Sequence, residues 1–197
     1  MAIKRLPRKI LVLAGSPVRD GNTDTLAGWF AEGARAQGAE VEVVRVAARE
    51  FRSAGCTSCR ACQKLEAYAC VIRDDASAAL AKMAKADAII MATPLYFFSA
   101  SAQLKTVFDR MFSLYKWDNA AGTMQTPLAG KTFGVIASAY EGAGFDALEK
   151  PFRLTAEYTG MKFYSLRVPN AGVSGDIRGK QEIRRKAAAF GKKIAKG

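Results

Sequence analysis

The sequence predicts an α/β protein: a doubly wound, five-stranded parallel sheet with helices on both faces. Two observations carry that expectation. Five strand-like runs alternate with stretches of helical periodicity, the order that right-handed crossovers turn into a parallel sheet. The first and third runs are continuously apolar, as strands covered on both faces are, whereas the second alternates and belongs nearer a sheet edge.

Residues 9–14 (KILVLA) form the first run, which ends at Gly15. After a polar loop, residues 23–37 carry Leu26, Trp29, Phe30 and Gly33 at helical spacing, with Asn22 or Thr23 as cap and Gly38 as terminator. Residues 40–46 (EVEVVRV) are the alternating second strand, and residues 47–75 are irregular. A short alanine-rich helix at 76–86 leads into the third strand, 87–92 (DAIIMA). Beyond a loop at 93–101, Leu104, Val107, Phe108, Met111 and Phe112 follow the i, i+3, i+4, i+7, i+8 pattern of an amphipathic helix. The fourth strand is 131–139, followed by a helical stretch at 145–159 that Pro151 should kink or split. A fifth strand at 162–168 precedes a last helix, about 179–195, with Ile183, Ala187, Phe190 and Ile194 on one face. No repeat, low-complexity segment or linker interrupts this order. A single domain over residues 1–197 is expected, with a cysteine-rich insertion at about 52–75.

Half of the 197 residues are hydrophobic, and no run approaches the roughly 18 apolar residues of a membrane span. The basic stretch 1–9 lacks a small-residue cleavage site and does not read as a secretory signal. A cytoplasmic location is expected. The formal net charge of +12 favours anionic partners. Histidine is absent, which excludes His-based triads and His-ligated metals and leaves chemistry to a cofactor, to thiols or to backbone donors.

The loop Gly15-Ser16-Pro17-Val18-Arg19-Asp20-Gly21-Asn22-Thr23 joins the first strand to the first helix. Small and hydroxyl residues let such a backbone curl around an anion, which the helix N-terminus then faces. It is neither a P-loop, having Asn22 where the lysine belongs, nor a dinucleotide Gly-x-Gly-x-x-Gly loop. A helix-capping turn that binds nothing is the plain alternative.

The loop resembles the Ser-Pro-x-x-x-Gly-Asn-Thr segment of the NAD(P)H-dependent FMN reductase and iron–sulfur flavoprotein family, within the flavodoxin-like fold (strand order 2-1-3-4-5). The resemblance continues through Thr93-Pro94-Leu95-Tyr96-Phe97-Phe98-Ser99-Ala100-Ser101-Ala102-Gln103-Leu104-Lys105 and Asp109-Arg110. It implies that Ser16, Asn22 and Thr23 hold the FMN phosphate and that Pro94, Leu95, Tyr96, Phe97 and Ser99 contact the isoalloxazine ring. Family members often carry a basic residue directly after Ser-Pro. This chain has Val18 there, with Arg19 one place later as a further phosphate contact. Beside the resemblance stands a physical reason. A planar, partly apolar ring needs aromatic faces and a few polar groups at its edge, and three adjacent aromatics cannot all point into a core. Ser138, Tyr140, Glu141 and Gly142, after the fourth strand, are expected at the ring edge.

Cys56-x2-Cys59-x2-Cys62-x7-Cys70 gathers every cysteine into one segment. Three-residue steps allow thiolates to wrap one face of a cubane, with a fourth ligand supplied later. The spacing fits the compact [4Fe–4S] motif of the iron–sulfur flavoproteins. Free or redox-active thiols and a zinc site are the alternatives. Arg52, Arg60 and Lys64 would offset a cluster's charge and would equally favour thiolates.

The function expected is an FMN-dependent oxidoreductase, with NAD(P)H as a transient substrate handing its hydride to the flavin. Electrons would come from NAD(P)H or a ferredoxin-like partner and pass to a flavin, quinone or iron–sulfur acceptor. A redox sensor or electron carrier without steady turnover is the alternative. The exposed aromatics and the family's habits imply a homodimer or tetramer. Arg178, Lys180, Arg184, Arg185, Lys186, Lys192, Lys193 and Lys196 make the last helix basic. With no nucleic-acid motif beside them, they read as its solvated face.

Overall fold

The computed structural model describes residues 6–118 and 120–197, so the first five residues of the basic stretch 1–9 lie outside it. Five strands form the main sheet: β1 (Lys9–Ala14), β2 (Glu40–Arg45), β3 (Ala88–Pro94), β6 (Thr132–Ser138) and β7 (Lys162–Val168). Their order is β2-β1-β3-β6-β7 with every neighbouring pair parallel. Counting these strands alone, that is the expected 2-1-3-4-5 order, whose crossovers change direction between β1 and β3. β1, β3 and β6 are buried almost end to end, as their apolar runs require, while β2 and β7 are edge strands and half exposed.

Helices α1 (Asn22–Arg35) and α5 (Gln181–Lys196) cover one face, packing Leu26, Phe30, Ala187 and Phe190 onto Val12, Ile90 and Ile136. Helices α2 (Asp75–Lys85), α3 (Ala102–Asp109) and α4 (Phe145–Thr159) cover the other, against Leu13, Met91 and Val135. Two glycines let the backbones of α1 and α5 touch. A Cβ on Gly33 would stand 2.0 Å from the Ala188 carbonyl oxygen, and one on Gly191 2.0 Å from that of Phe30.

The differences from expectation have local causes. The cap of α1 is Gly21, not Asn22 or Thr23, because the Asn22 side chain is committed elsewhere. α4 runs unbroken through Pro151. The carbonyl that loses its donor there belongs to exposed Ala147, which water can satisfy, while Leu148, Phe152 and Ala156 hold the helix to the sheet. The amphipathic pattern around 104–112 is split between α3 and a 3-10 turn at Arg110–Leu114. A short antiparallel hairpin, β4 (Lys116–Asp118) with β5 (Thr123–Gln125), was not anticipated. No helix among the described residues is long and apolar enough to cross a membrane.

Candidate functional site

Three loops meet at the carboxyl ends of β1, β3 and β6, around the point where the sheet changes direction. Such a crevice is where doubly wound sheets receive ligands.

The first loop, 15–21, leads into α1. Its backbone starts from Gly15, whose amide donates to the Ala92 carbonyl at 2.8 Å and whose carbonyl accepts from the Ser101 hydroxyl at 2.6 Å. Ser16 is buried, and its hydroxyl receives the Val18 amide at 3.2 Å. α1, like α4 and α5, begins without a side-chain cap, whereas Asp74 caps α2 and Ser101 caps α3. The first amides of a helix have no partner within it. At α1 they are left to an outside acceptor, with the positive end of the helix dipole behind them. Thr23 is buried in the first turn, its hydroxyl 3.4 Å from that of Ser138 at the end of β6. Asp24 in the same turn is paired with Arg45 at 2.7 Å.

Two residues expected at this loop sit differently. The Asn22 amide donates to the carbonyls of Ala171 (3.1 Å) and Val173 (2.9 Å) and accepts from the Gly175 amide at 2.9 Å. It clips the loop to segment 171–175, which occupies its side-chain amide and leaves its backbone amide at the helix start. Arg19 extends into solvent, 83% exposed, with Asp20 as a distant partner at 3.8 Å.

The second loop follows Pro94 and Leu95 at the end of β3 and turns back on itself. Tyr96 and Ser99 exchange two backbone hydrogen bonds of 3.0 Å, and the two residues between them have positive φ, 44° at Phe97 and 63° at Phe98. This is a two-residue hairpin turn of the kind that glycine and asparagine normally occupy. Holding two phenylalanines left-handed costs roughly 1–2 kcal/mol each. Little packing offsets that cost, since Phe97 is 98% exposed and Phe98 59%. Strain kept at an exposed aromatic tip makes this segment a candidate for function. Tyr96 and Ser99 are exposed beside it, and Pro94 and Leu95 are half-buried beneath.

The third loop, 139–144, presents Tyr140, Glu141 and Gly142 to solvent beside the hairpin. The two loops touch at Gly144, where a Cβ would lie 2.5 Å from the Phe98 ring and φ is +89°. The hairpin is braced from behind: the Thr93 hydroxyl accepts the Ser101 amide at 3.0 Å, and Ser101 in turn holds Gly15. Clefts also open at the opposite, amino-terminal edge of the sheet, lined by Arg8, Lys9, Lys85 and Lys131 among others, but none of these three loops reaches them.

The four cysteines are free thiols, and all four line one small pocket together with Arg60, Ile72, Arg110 and Phe112. Cys56 and Cys59 are exposed, Cys70 is half-buried and Cys62 is buried. Ser58 and Arg60, on either side of Cys59, are left-handed at φ 56° and 58°, a conformation that helps the backbone form anion-binding concavities at phosphate and Fe–S sites. Burial pushes the Cys62 thiol up from its ordinary pKa. The Ala61 amide and then the Thr57 hydroxyl draw that of Cys59 down. The loop is fastened from the far side by Lys116, which donates to the carbonyls of Cys62 and Leu65, and by Gln63, which donates to that of Tyr115 at 2.9 Å. Among the described residues no three His, Cys, Asp or Glu side chains converge on a point suited to a single metal ion. Arg52 and Lys64 are exposed. The buried cation of this pocket is Arg110, which sequence reasoning quoted as part of a motif but gave no role.

A family model described as NADPH-dependent FMN reductase matches residues 8–172. An iron-sulfur flavoprotein of Methanocaldococcus jannaschii is 37% identical over 102 residues, covering 52% of this chain and 51% of that protein. One from Methanosarcina thermophila is 38% identical over the same length and coverage. The chain thus spans about half the length of these curated relatives. In structure, an NAD(P)H:quinone oxidoreductase from Methanothermobacter marburgensis superposes with a TM-score of 0.73 at 17% identity, covering 96% of this chain and 100% of that one. That likeness speaks to the fold alone.

Proposed function

The chain belongs to the NADPH-dependent FMN reductase family, and on that premise we propose that it is an FMN-dependent oxidoreductase drawing electrons from NAD(P)H or a ferredoxin. Its acceptor would be a flavin, a quinone or an iron–sulfur protein. The observation that carries this reading is the bare start of α1, uncapped by any side chain and set beside the strained aromatic hairpin. The residues fit the cofactor's two ends. The opening amides of α1, with the Ser16 and Thr23 hydroxyls, hold the phosphate. Arg19 is free to swing in from solvent. Leu95, Tyr96 and Phe97 wall the ring, while Ser99, Ser138, Tyr140, Glu141 and Gly142 line its polar edge. FMN held there would supply the redox chemistry, as a group able to take a hydride from a nicotinamide. The chain's part would be to orient the ring between the hairpin and the 139–144 loop. A homodimer that covers Phe97 belongs to this reading, as does a cytoplasmic setting that keeps the thiols reduced.

The same reading gives the four cysteines a [4Fe–4S] cluster. It is supported by their shared pocket and by relatives named iron-sulfur flavoproteins. A sensor or carrier without steady turnover is the second reading, favoured by the exposed Cys59 thiol.

The test is a titration of apo-protein with FMN and with riboflavin, followed by anaerobic mixing of the FMN form with NADPH. FMN binding far tighter than riboflavin and rapid loss of the oxidised-flavin absorption are expected. Equal affinities would remove the phosphate site. Binding without reduction by NADPH would leave a ferredoxin donor or the carrier reading, and reduction by ferredoxin with turnover of an acceptor would separate those two.

A further inference from the structure

Arg110 is the bulkiest fully buried side chain among the described residues, 1% exposed, at the junction of α3 and the 3-10 turn that follows. Burying a guanidinium costs several kcal/mol unless its charge and its donors are matched. Here they are matched only in part. Nη1 donates to Asp74 at 2.7 Å and Nη2 to the Ile72 carbonyl at 2.7 Å. Nε is buried with no partner among the described residues.

Nor is the Asp74 carboxylate devoted to Arg110. It also caps α2, accepting the Ser77 amide at 3.0 Å, and takes the Arg52 amide at 2.9 Å. Part of its charge is answered by the positive end of α2. Arg110 therefore shares its carboxylate partner with two backbone amides. Arg110 lines the pocket shared by Cys56, Cys59, Cys62 and Cys70, and the Cys70 sulfur lies close enough to act on the guanidinium. Sulfur is a weak acceptor as a neutral thiol and a strong one when anionic. A buried cation with an unused N–H beside four thiols is a poor design for a structural tie alone.

We propose that Arg110 is the positioning residue of this pocket, its buried guanidinium donating to the sulfur atoms of an anionic, cysteine-ligated iron–sulfur cluster and raising that cluster's reduction potential. The inference rests on the reading that the four cysteines hold such a cluster. The physical basis is that each added electron makes the sulfurs better acceptors, so a fixed N–H donor and positive charge stabilise the reduced form. Exposed Arg52 and Lys64, screened by water, contribute little beside it.

The test uses full-length protein whose cluster is assembled anaerobically with iron and sulfide, in wild type, Arg110→Lys, Arg110→Gln and the exposed-cation control Lys64→Gln. The readouts are iron and sulfide per chain, the cluster's midpoint potential, bound FMN, and the melting temperature of each apo-protein. Lys64→Gln should match wild type. Arg110→Lys keeps a charge to pair with Asp74 but loses the Nε donor. It should load the cluster with a midpoint lower by the equivalent of at least a tenfold change in the one-electron equilibrium, about 59 mV. Arg110→Gln should lose most of its iron while its FMN content stays near wild type. If its apo-protein fails to melt cooperatively, the lysine variant alone decides. Full iron and an unchanged midpoint in Arg110→Lys would overturn the proposal and leave the cluster reading intact. A wild-type protein that takes up no iron would instead remove the cluster reading, and this inference with it.

Discussion

Replacing Asn22 tests whether its side chain is a ligand or a clip. Its amide makes three well-formed bonds across 149 to 153 residues of chain, to Ala171, Val173 and Gly175. At about 1 kcal/mol net for each, partly recovered by water at a half-exposed site, Asn22→Ala should cost about 2 kcal/mol. For a chain of this size that is a fall in melting temperature of roughly 4–8 °C. Asn22→Asp should cost more, about 3 kcal/mol. It keeps the acceptor for Gly175 but sets a carboxylate against two carbonyl oxygens, and the favourable helix end returns only about 0.5 kcal/mol. The assay is calorimetric melting of each variant with and without saturating FMN. A clip weakens the apo-protein, whereas a ligand's loss appears only in the extra stability that bound FMN confers. An Asn22→Ala apo-protein that melts like wild type, with a deficit emerging only when FMN is added, would refute the clip.

Phe97→Gly should stabilise the apo-protein by about 0.5–1 kcal/mol by releasing left-handed strain without losing packing, yet weaken FMN binding severalfold; unfolding curves and fluorescence titration read the two effects separately. Gly144→Ala puts a methyl group 2.5 Å from the Phe98 ring at a φ of +89°, so a loss of about 2 kcal/mol in stability is expected together with weaker FMN binding. Asp74 is held below the usual carboxylate range: burial works against its charge, but Arg110 and the Arg52 and Ser77 amides outweigh it. Its contribution is therefore complete above the ordinary carboxylate pKa of about 4 and fades as pH falls through the lower folded value. Asp74→Asn should lower stability at neutral pH and flatten the acid limb of a stability-versus-pH curve. Gly33→Ala drives a methyl group to 2.0 Å from a backbone oxygen of α5, and denaturant unfolding should show a loss of about 3 kcal/mol.

What could be read from sequence was what short-range chemistry dictates. The apolar runs of β1 and β3 announce burial on both faces, the alternation of β2 announces an edge, and three-residue cysteine steps announce one shared site. What could not be read depends on partners far along the chain. Asparagine at 22 looks like a helix cap, and only the arrival of segment 171–175 shows the amide to be occupied elsewhere. Arg110 falls within an amphipathic stretch where arginine normally faces water, and its burial depends on Asp74, 36 positions earlier. The β4–β5 hairpin has three-residue strands, too short to show a period. Pro151 carried a real local signal that tertiary packing overrode. The turn at Phe97 and Phe98 contradicts local preference, and that contradiction is why it points to function.

The Ser101 hydroxyl has a consequence for selectivity. One oxygen fastens the floor of the anion loop at Gly15 while its own backbone is pinned by Thr93 beneath the hairpin. Moving either loop thus disturbs the other, so a ligand seated on both is held by one connected unit. A molecule carrying only the tricycle, or only the sugar phosphate, engages half of that unit. Fragments should therefore bind far more feebly than their share of the intact molecule's free energy, and cutting this one hydroxyl in Ser101→Ala should bring the two halves closer to additive.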